Sequence, residues 1–178
     1  MPPARTPDRL GTPSFPRTSS RRAPRAARPV VPEHKRELVD ETPRVVCPSK
    51  LNGEGLYPAI TWIGSPGASA GSGFTISATS AIAHQFGLMF YGYAQSTAPF
   101  QGGYLCVKPP FRRTPIQAAT GSGLCGGSYS IDFNAYIALG TDPALLPGVN
   151  VFARYWMRDP PAAFTTGYTN ALTFTICQ

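Results

Sequence analysis

Residues 149–157, VNVFARYWM, carry the reading that decides the fold. In an extended chain, successive side chains point to opposite faces. Val149, Val151, Ala153, Tyr155 and Met157 then share one face, and Asn150, Phe152, Arg154, Trp156 and Arg158 share the other. The first set is apolar and is expected to face a core. The second mixes aromatic rings with two arginines and is expected to face outward. Residues 172–177 (LTFTIC) repeat the pattern, with Leu172, Phe174 and Ile176 inward and Thr173, Thr175 and Cys177 outward.

Working outward, residues 128–133 (SYSIDF) alternate as well, and residues 86–93 (FGLMFYGY) form an apolar run that suits a strand buried on both sides. Further strands are expected at Ala59–Ile63 (AITWI), at 74–78 (FTISA) and at 104–108 (YLCVK), the last ending at Pro109-Pro110, which cannot continue a central strand. An edge strand is expected at 114–118. Residues 134–146 hold the only helical turns, broken by Gly140 and Pro143. Some eight short strands separated by turn clusters predict an all-β single domain, a β-sandwich or jelly-roll-like module, over residues 45–178.

Charge divides the 178 residues in two. Residues 1–44 hold ten Lys or Arg, five Asp or Glu and nine Pro, a net of about +5 (ten minus five). Residues 45–178 hold six and four, about +2 (six minus four), with 17 of the 18 Gly. Pro and Arg without an apolar period cannot offset the entropy of ordering, so residues 1–44 are expected to be a disordered extension. A short helix at 33–42 (EHKRELVDET) is supported by charge spacing alone. Residues 1–32 show no export-signal pattern, because Arg21-Arg22 is followed by no sufficient apolar stretch. No 20-residue apolar run exists, so no membrane span is expected.

All four cysteines, Cys47, Cys106, Cys125 and Cys177, lie in the folded part, and no two are spaced as CxxC. With His34 and His84 the only histidines, a zinc site is not expected and a disulfide framework is. Four cysteines allow three pairings; the one favoured is Cys106–Cys125 with Cys47–Cys177, a short loop and a tie between the module's ends. Disulfides imply an oxidising compartment.

Several stretches occur in one order: PAI (58–60), SPGASAGSGFTISA (65–78), GLMFYGYAQSTAPFQGGYLCVKPPFRRTPIQ (87–117), YSIDFNAYIALGTDPALLPGVNVFARYWMRDP (129–160) and TNALTFTIC (169–177). In these the chain resembles a β-rich module at the C-terminal end of large secreted or cell-surface proteins of planctomycete-type bacteria. The resemblance covers nearly all of residues 45–178 and none of 1–44. It implies an extracellular or cell-surface location and a β architecture, and no chemistry. Members of that family usually carry a cysteine near the place of Leu56, which would pair locally with the counterpart of Cys47; here the position is leucine.

Candidate acid–base groups in the module are His84, Glu54, Asp132, Asp142 and Asp159. A hydrolase needs two carboxylates facing one bond, or a nucleophile beside a base, and nothing in the spacing sets these opposite one another. The plainer reading is a loop histidine and structural or turn acids. SPGASAGSG and GSGLCGG lack the lysine of a phosphate loop and read as hairpin loops. Lys108, Arg112 and Arg113 form a basic patch around Phe111, fit to meet an anion or simply solvated. The tail's arginines are expected to give at most nonspecific nucleic-acid contact.

The best candidate for ligand contact is the outer face of 149–157: Phe152, Arg154, Trp156 and Arg158. A ring between two guanidinium groups suits an anionic glycan or envelope polymer. The competing expectation is that both faces of this strand are buried, one of them beneath a loop. The sequence therefore predicts a non-catalytic extracellular module for adhesion, anchoring or glycan binding, with no cofactor and no metal. Its rivals are an envelope hydrolase with an unrecognised acid pair and a nonspecific nucleic-acid binder acting through the tail.

Overall fold

The computed structural model describes residues 42–124 and 126–178. The disorder expected for 1–44 falls almost wholly outside the described residues, as do the helix at 33–42, apart from Thr42, and any pairing of Cys125.

The module is all-β, with twelve strands, one short α-helix and one 3-10 turn (Ala163–Thr165) among the described residues. The strands are β1 (Arg44–Val46), β2 (Ala59–Ile63), β3 (Thr75–Ala81), β4 (Phe86–Gly92), β5 (Gln95–Phe100) and β6 (Gly103–Val107). They continue with β7 (Arg112–Arg113), β8 (Gln117–Ala118), β9 (Gly127–Asp132), β10 (Asn150–Arg158), β11 (Thr166–Tyr168) and β12 (Ala171–Thr175). The helix α1 (Phe133–Ala138) starts on Asp132, whose carboxylate accepts from the Ala135 N–H. It ends at Gly140, a residue in the left-handed region at φ 66°.

The larger sheet runs β1-β12-β10-β4-β7. β12 and β11 follow one another along one side of β10, and β7 and β8 do the same along β4. The smaller sheet runs β2-β3-β9. All these strand pairs are antiparallel. The two sheets close on one core. Met89, Tyr91, Val151, Ala153, Tyr155, Leu172 and Phe174 of the larger sheet meet Ile60, Ile76, Ala78 and Tyr129 of the smaller. Tyr155 stacks on Tyr129 and donates its hydroxyl to the carbonyl of Ile76, 2.9 Å away, binding the layers together. The core faces expected for β10 and β12 are borne out, with Val151, Ala153, Tyr155, Met157, Leu172, Phe174 and Ile176 buried, but the opposite face is not open, since Arg154 and Thr173 are buried as well.

The third sheet, the hairpin β5–β6, is the element that positions the site. Its two-residue loop is Gln101-Gly102, both in the left-handed region at φ 46° and 77°. Two successive positive φ values give the type I′ turn, whose twist matches that of a hairpin. Strand β6 stops at Val107, before Pro109-Pro110, as expected.

Three expectations are corrected. The edge strand expected at 114–118 forms only at its end, as β8, with the separate pairing β7 ahead of it on β4; Pro115 between them has no amide hydrogen to continue the ladder. The hairpin arm β5 (QSTAPF) was not expected at all, since it lacks alternation and contains Pro99, which edge strands tolerate. The favoured cysteine pairing does not form. Cys47 is bonded to Cys106, with their Cα atoms 6.1 Å apart. The hairpin folds back over β10 and sets β6 beside the residues that follow β1.

Candidate functional site

The second face of β10 lies under the hairpin. Phe152 and Trp156 are half-buried and Arg158 at the strand end is exposed. Arg154 is fully buried, which corrects the expectation that it reaches ligand from an open face. Its guanidinium has four partners. Nε donates to the carbonyl of Thr169 (2.7 Å), Nη2 to that of Pro48 (3.0 Å), and Nη1 to the Tyr104 carbonyl and to Cys106 Sγ. The group also lies 4.8 Å from the centroid of the Tyr168 ring. Burial pushes the Arg154 guanidinium down to about 10, partly opposed by its interaction with Tyr168. Carbonyl dipoles and a ring face thus hold a buried cation that ties β10 to the hairpin and to the segment after β1.

The hairpin is fastened along its length. At its tip, Gln101 Oε1 accepts from the hydroxyls of Tyr168 (2.5 Å) and Thr166 (3.1 Å). In its middle, Arg154 holds Tyr104; near its end, the disulfide holds Cys106. Close by, Lys50 Nζ donates to the carbonyls of Ala163 (2.8 Å) and Thr166 (2.6 Å).

Between this roof and the sheet lies a cavity of about 410 Å³. Trp156, Leu88 and Phe90 make its floor, Phe100 and Leu105 its roof, and Phe111 and Ile116 a side wall. Phe111 packs against Phe90 with ring centroids 5.2 Å apart. Polar atoms are few: Arg113, Gln101 and the Tyr168 hydroxyl. Burial pushes that hydroxyl up, while Thr166, the Arg154 charge and a hydrogen bond from Trp156 act the other way. Trp156 is thus brought to a concave surface, with Phe152 packed beside it in the same apolar cluster. Neither Arg158 nor Arg154 lines the cavity.

The basic patch is split by strand alternation. Arg112 turns to Asp142, with Nε 3.5 Å from Oδ2, whereas Arg113 lines the cavity with its guanidinium 5.6 Å from the Phe111 centroid. Lys108 is exposed. The acids have structural work. Asp132 caps α1 and accepts from the Gly73 N–H (2.8 Å). Asp142 accepts from the hydroxyls of Tyr91 (2.9 Å) and Tyr93 (2.5 Å). Asp159, fully buried, accepts from the Gly53 N–H through both oxygens. His84 is exposed in a turn at φ 62°.

The glycine-rich stretches are loops. Asn134 gathers 65–73 by accepting from the Gly67 N–H and donating to the Ser65 and Ser72 carbonyls. Thr120 and Ser128 close the second loop through paired backbone bonds. Among the described residues no group of three or more His, Cys, Asp or Glu is placed to hold a metal ion. No helix among them is long and apolar enough to cross a membrane.

Sequence reasoning found Trp156 and Arg113 but missed Gln101, Phe100 and Leu105, which the hairpin delivers. The run FQGGY, two glycines between aromatic residues, was the signal available. Comparison with protein-family models, with curated proteins and with solved structures found no match.

Proposed function

We propose that the module is a non-catalytic binding unit of an extracellular or cell-surface protein, which adheres to or anchors on an anionic glycan or envelope polymer. The observation that carries the reading is the aromatic cavity at Trp156: a concave apolar surface with a few convergent polar groups is the usual form of a ligand seat. The Cys47–Cys106 disulfide is consistent with an oxidising environment and supports the location. The structural employment of Asp132, Asp142 and Asp159 favours binding over hydrolysis.

The test is binding of wild-type protein, Trp156→Ala and Trp62→Phe to a set of acidic envelope polysaccharides, with soluble fragments assayed in parallel. The expected result is binding by wild type and Trp62→Phe, weakened at least tenfold in Trp156→Ala, with no fragments released. Binding to none of the polymers would overturn the reading, and release of fragments would favour the hydrolase.

A further inference from the structure

The cavity's chemistry is uneven, and the unevenness specifies a ligand. Floor, roof and side wall are rings and branched aliphatic chains, which offer nothing to the hydroxyls of an unmodified sugar ring. Desolvating those hydroxyls without partners is costly. The walls instead suit a planar or aliphatic group that stacks on Trp156 and Phe111.

One cation borders this apolar space. Arg113 is exposed and has no carboxylate partner among the described residues, while its neighbour Arg112 is already engaged by Asp142. The β7 backbone pairs Arg113 with Phe90 of the cavity floor, which sets the side chain beside the cavity, its guanidinium 5.6 Å from the Phe111 centroid. Gln101 adds a directed donor. Its Oε1 is occupied by two hydroxyls, and its amide N–H groups remain available as donors at the cavity lining.

We propose that the cavity takes an apolar group carrying an acid: an aryl or acyl body seated on Trp156, with its carboxylate held by Arg113 and Gln101. This deepens the binding-unit reading and rests on the same cavity. The acid-bearing group would be a substituent or terminus of the recognised polymer. Arg113 fills the role that the strand pattern assigned to Arg154. A guanidinium binds carboxylate in a bidentate, charge-assisted pair, so the acid should bind better than its neutral counterpart.

The experiment uses the full chain with Trp62→Phe, which leaves Trp156 as the sole indole emitter. The probes are 4-phenylbutyrate and 4-phenylbutan-1-ol, which share one apolar body. Both should perturb Trp156 emission, the acid binding about tenfold more tightly. Arg113→Gln should abolish that preference and leave alcohol binding unchanged. Lys108→Gln, which removes an exposed cation that does not line the cavity, should leave the preference intact.

Equal binding of acid and alcohol by the unsubstituted side chain would overturn the role of Arg113 while leaving the cavity as an apolar seat. Equal weakening by Arg113→Gln and Lys108→Gln would overturn it in favour of diffuse charge attraction. If neither probe perturbs Trp156, the inference fails, and the polysaccharide assay above decides separately whether the binding-unit reading stands. Unchanged thermal unfolding of Arg113→Gln is the control for folding.

Discussion

The guanidinium of Arg154 lies 4.8 Å from the centroid of the Tyr168 ring, buried, with backbone carbonyls from three separate segments around it. One side chain thereby joins the central strand, the hairpin roof and the residues after β1. The ring it faces carries the hydroxyl that holds Gln101 at the hairpin tip. The same two residues therefore fix the roof of the cavity, Tyr168 with its hydroxyl in the lining and Arg154 outside it.

Removing that side chain should be costly. Arg154→Met leaves the carbonyls of Pro48, Tyr104 and Thr169 without their donor, and a loss of about 3–5 kcal/mol is expected. Arg154→Lys should recover little of it, because one ammonium cannot reproduce a planar fork aimed at three carbonyls. Urea unfolding measures both variants. A lysine variant within about 0.5 kcal/mol of wild type would contradict this role.

The disulfide closes a chain separation of 59 residues. The chain-entropy relation gives about 4 kcal/mol for a loop of that length. Non-reducing peptide mapping should return a Cys47–Cys106 peptide. Cys106→Ser should lower stability by an amount of that order and loosen the hairpin. Mapping that links Cys106 to another cysteine would refute the arrangement.

Asp142 makes the module acid-sensitive. Burial pushes its carboxyl up, but hydrogen bonds from Tyr93, the Ala144 N–H and Tyr91, with the Arg112 charge, outweigh this and hold it below the ordinary value of 3.8. A carboxyl lowered in the folded state stabilises the fold above its unfolded value. That contribution disappears as pH falls through the folded one. Stability should therefore decline below about pH 4. Asp142→Asn should flatten part of the decline and cost about 1–3 kcal/mol at neutral pH through its two tyrosine partners. An identical acid limb in the variant would count against Asp142 as a source.

The division between what was legible in the sequence and what was not has a physical cause. Alternation in β10 and β12 is local, and it placed Tyr155 and Phe174 on the core side. Burial of β4 on both sides was readable because residues 86–93 are apolar at nearly every position. What covers the second face of β10 is a tertiary fact. Alternation puts Arg154 opposite the core but cannot reveal that β5–β6 folds over it. For the same reason the Cys47–Cys106 contact was not visible from spacing. The adjacent arginines 112 and 113 show the same limit: period two separates them, but only the fold gives one to Asp142 and the other to the cavity.

The most direct measurement of the central claim follows the two indole N–H resonances in a ¹⁵N spectrum of the full chain during titration with 4-phenylbutyrate. Trp156 lines the cavity, and Trp62 lies in β2 of the other sheet as an internal reference. The account predicts that the Trp156 resonance shifts progressively and saturates, together with the backbone amides of Gln101 and Arg113, while Trp62 stays in place. An unmoved Trp156, or shifts centred on Trp62, would contradict it.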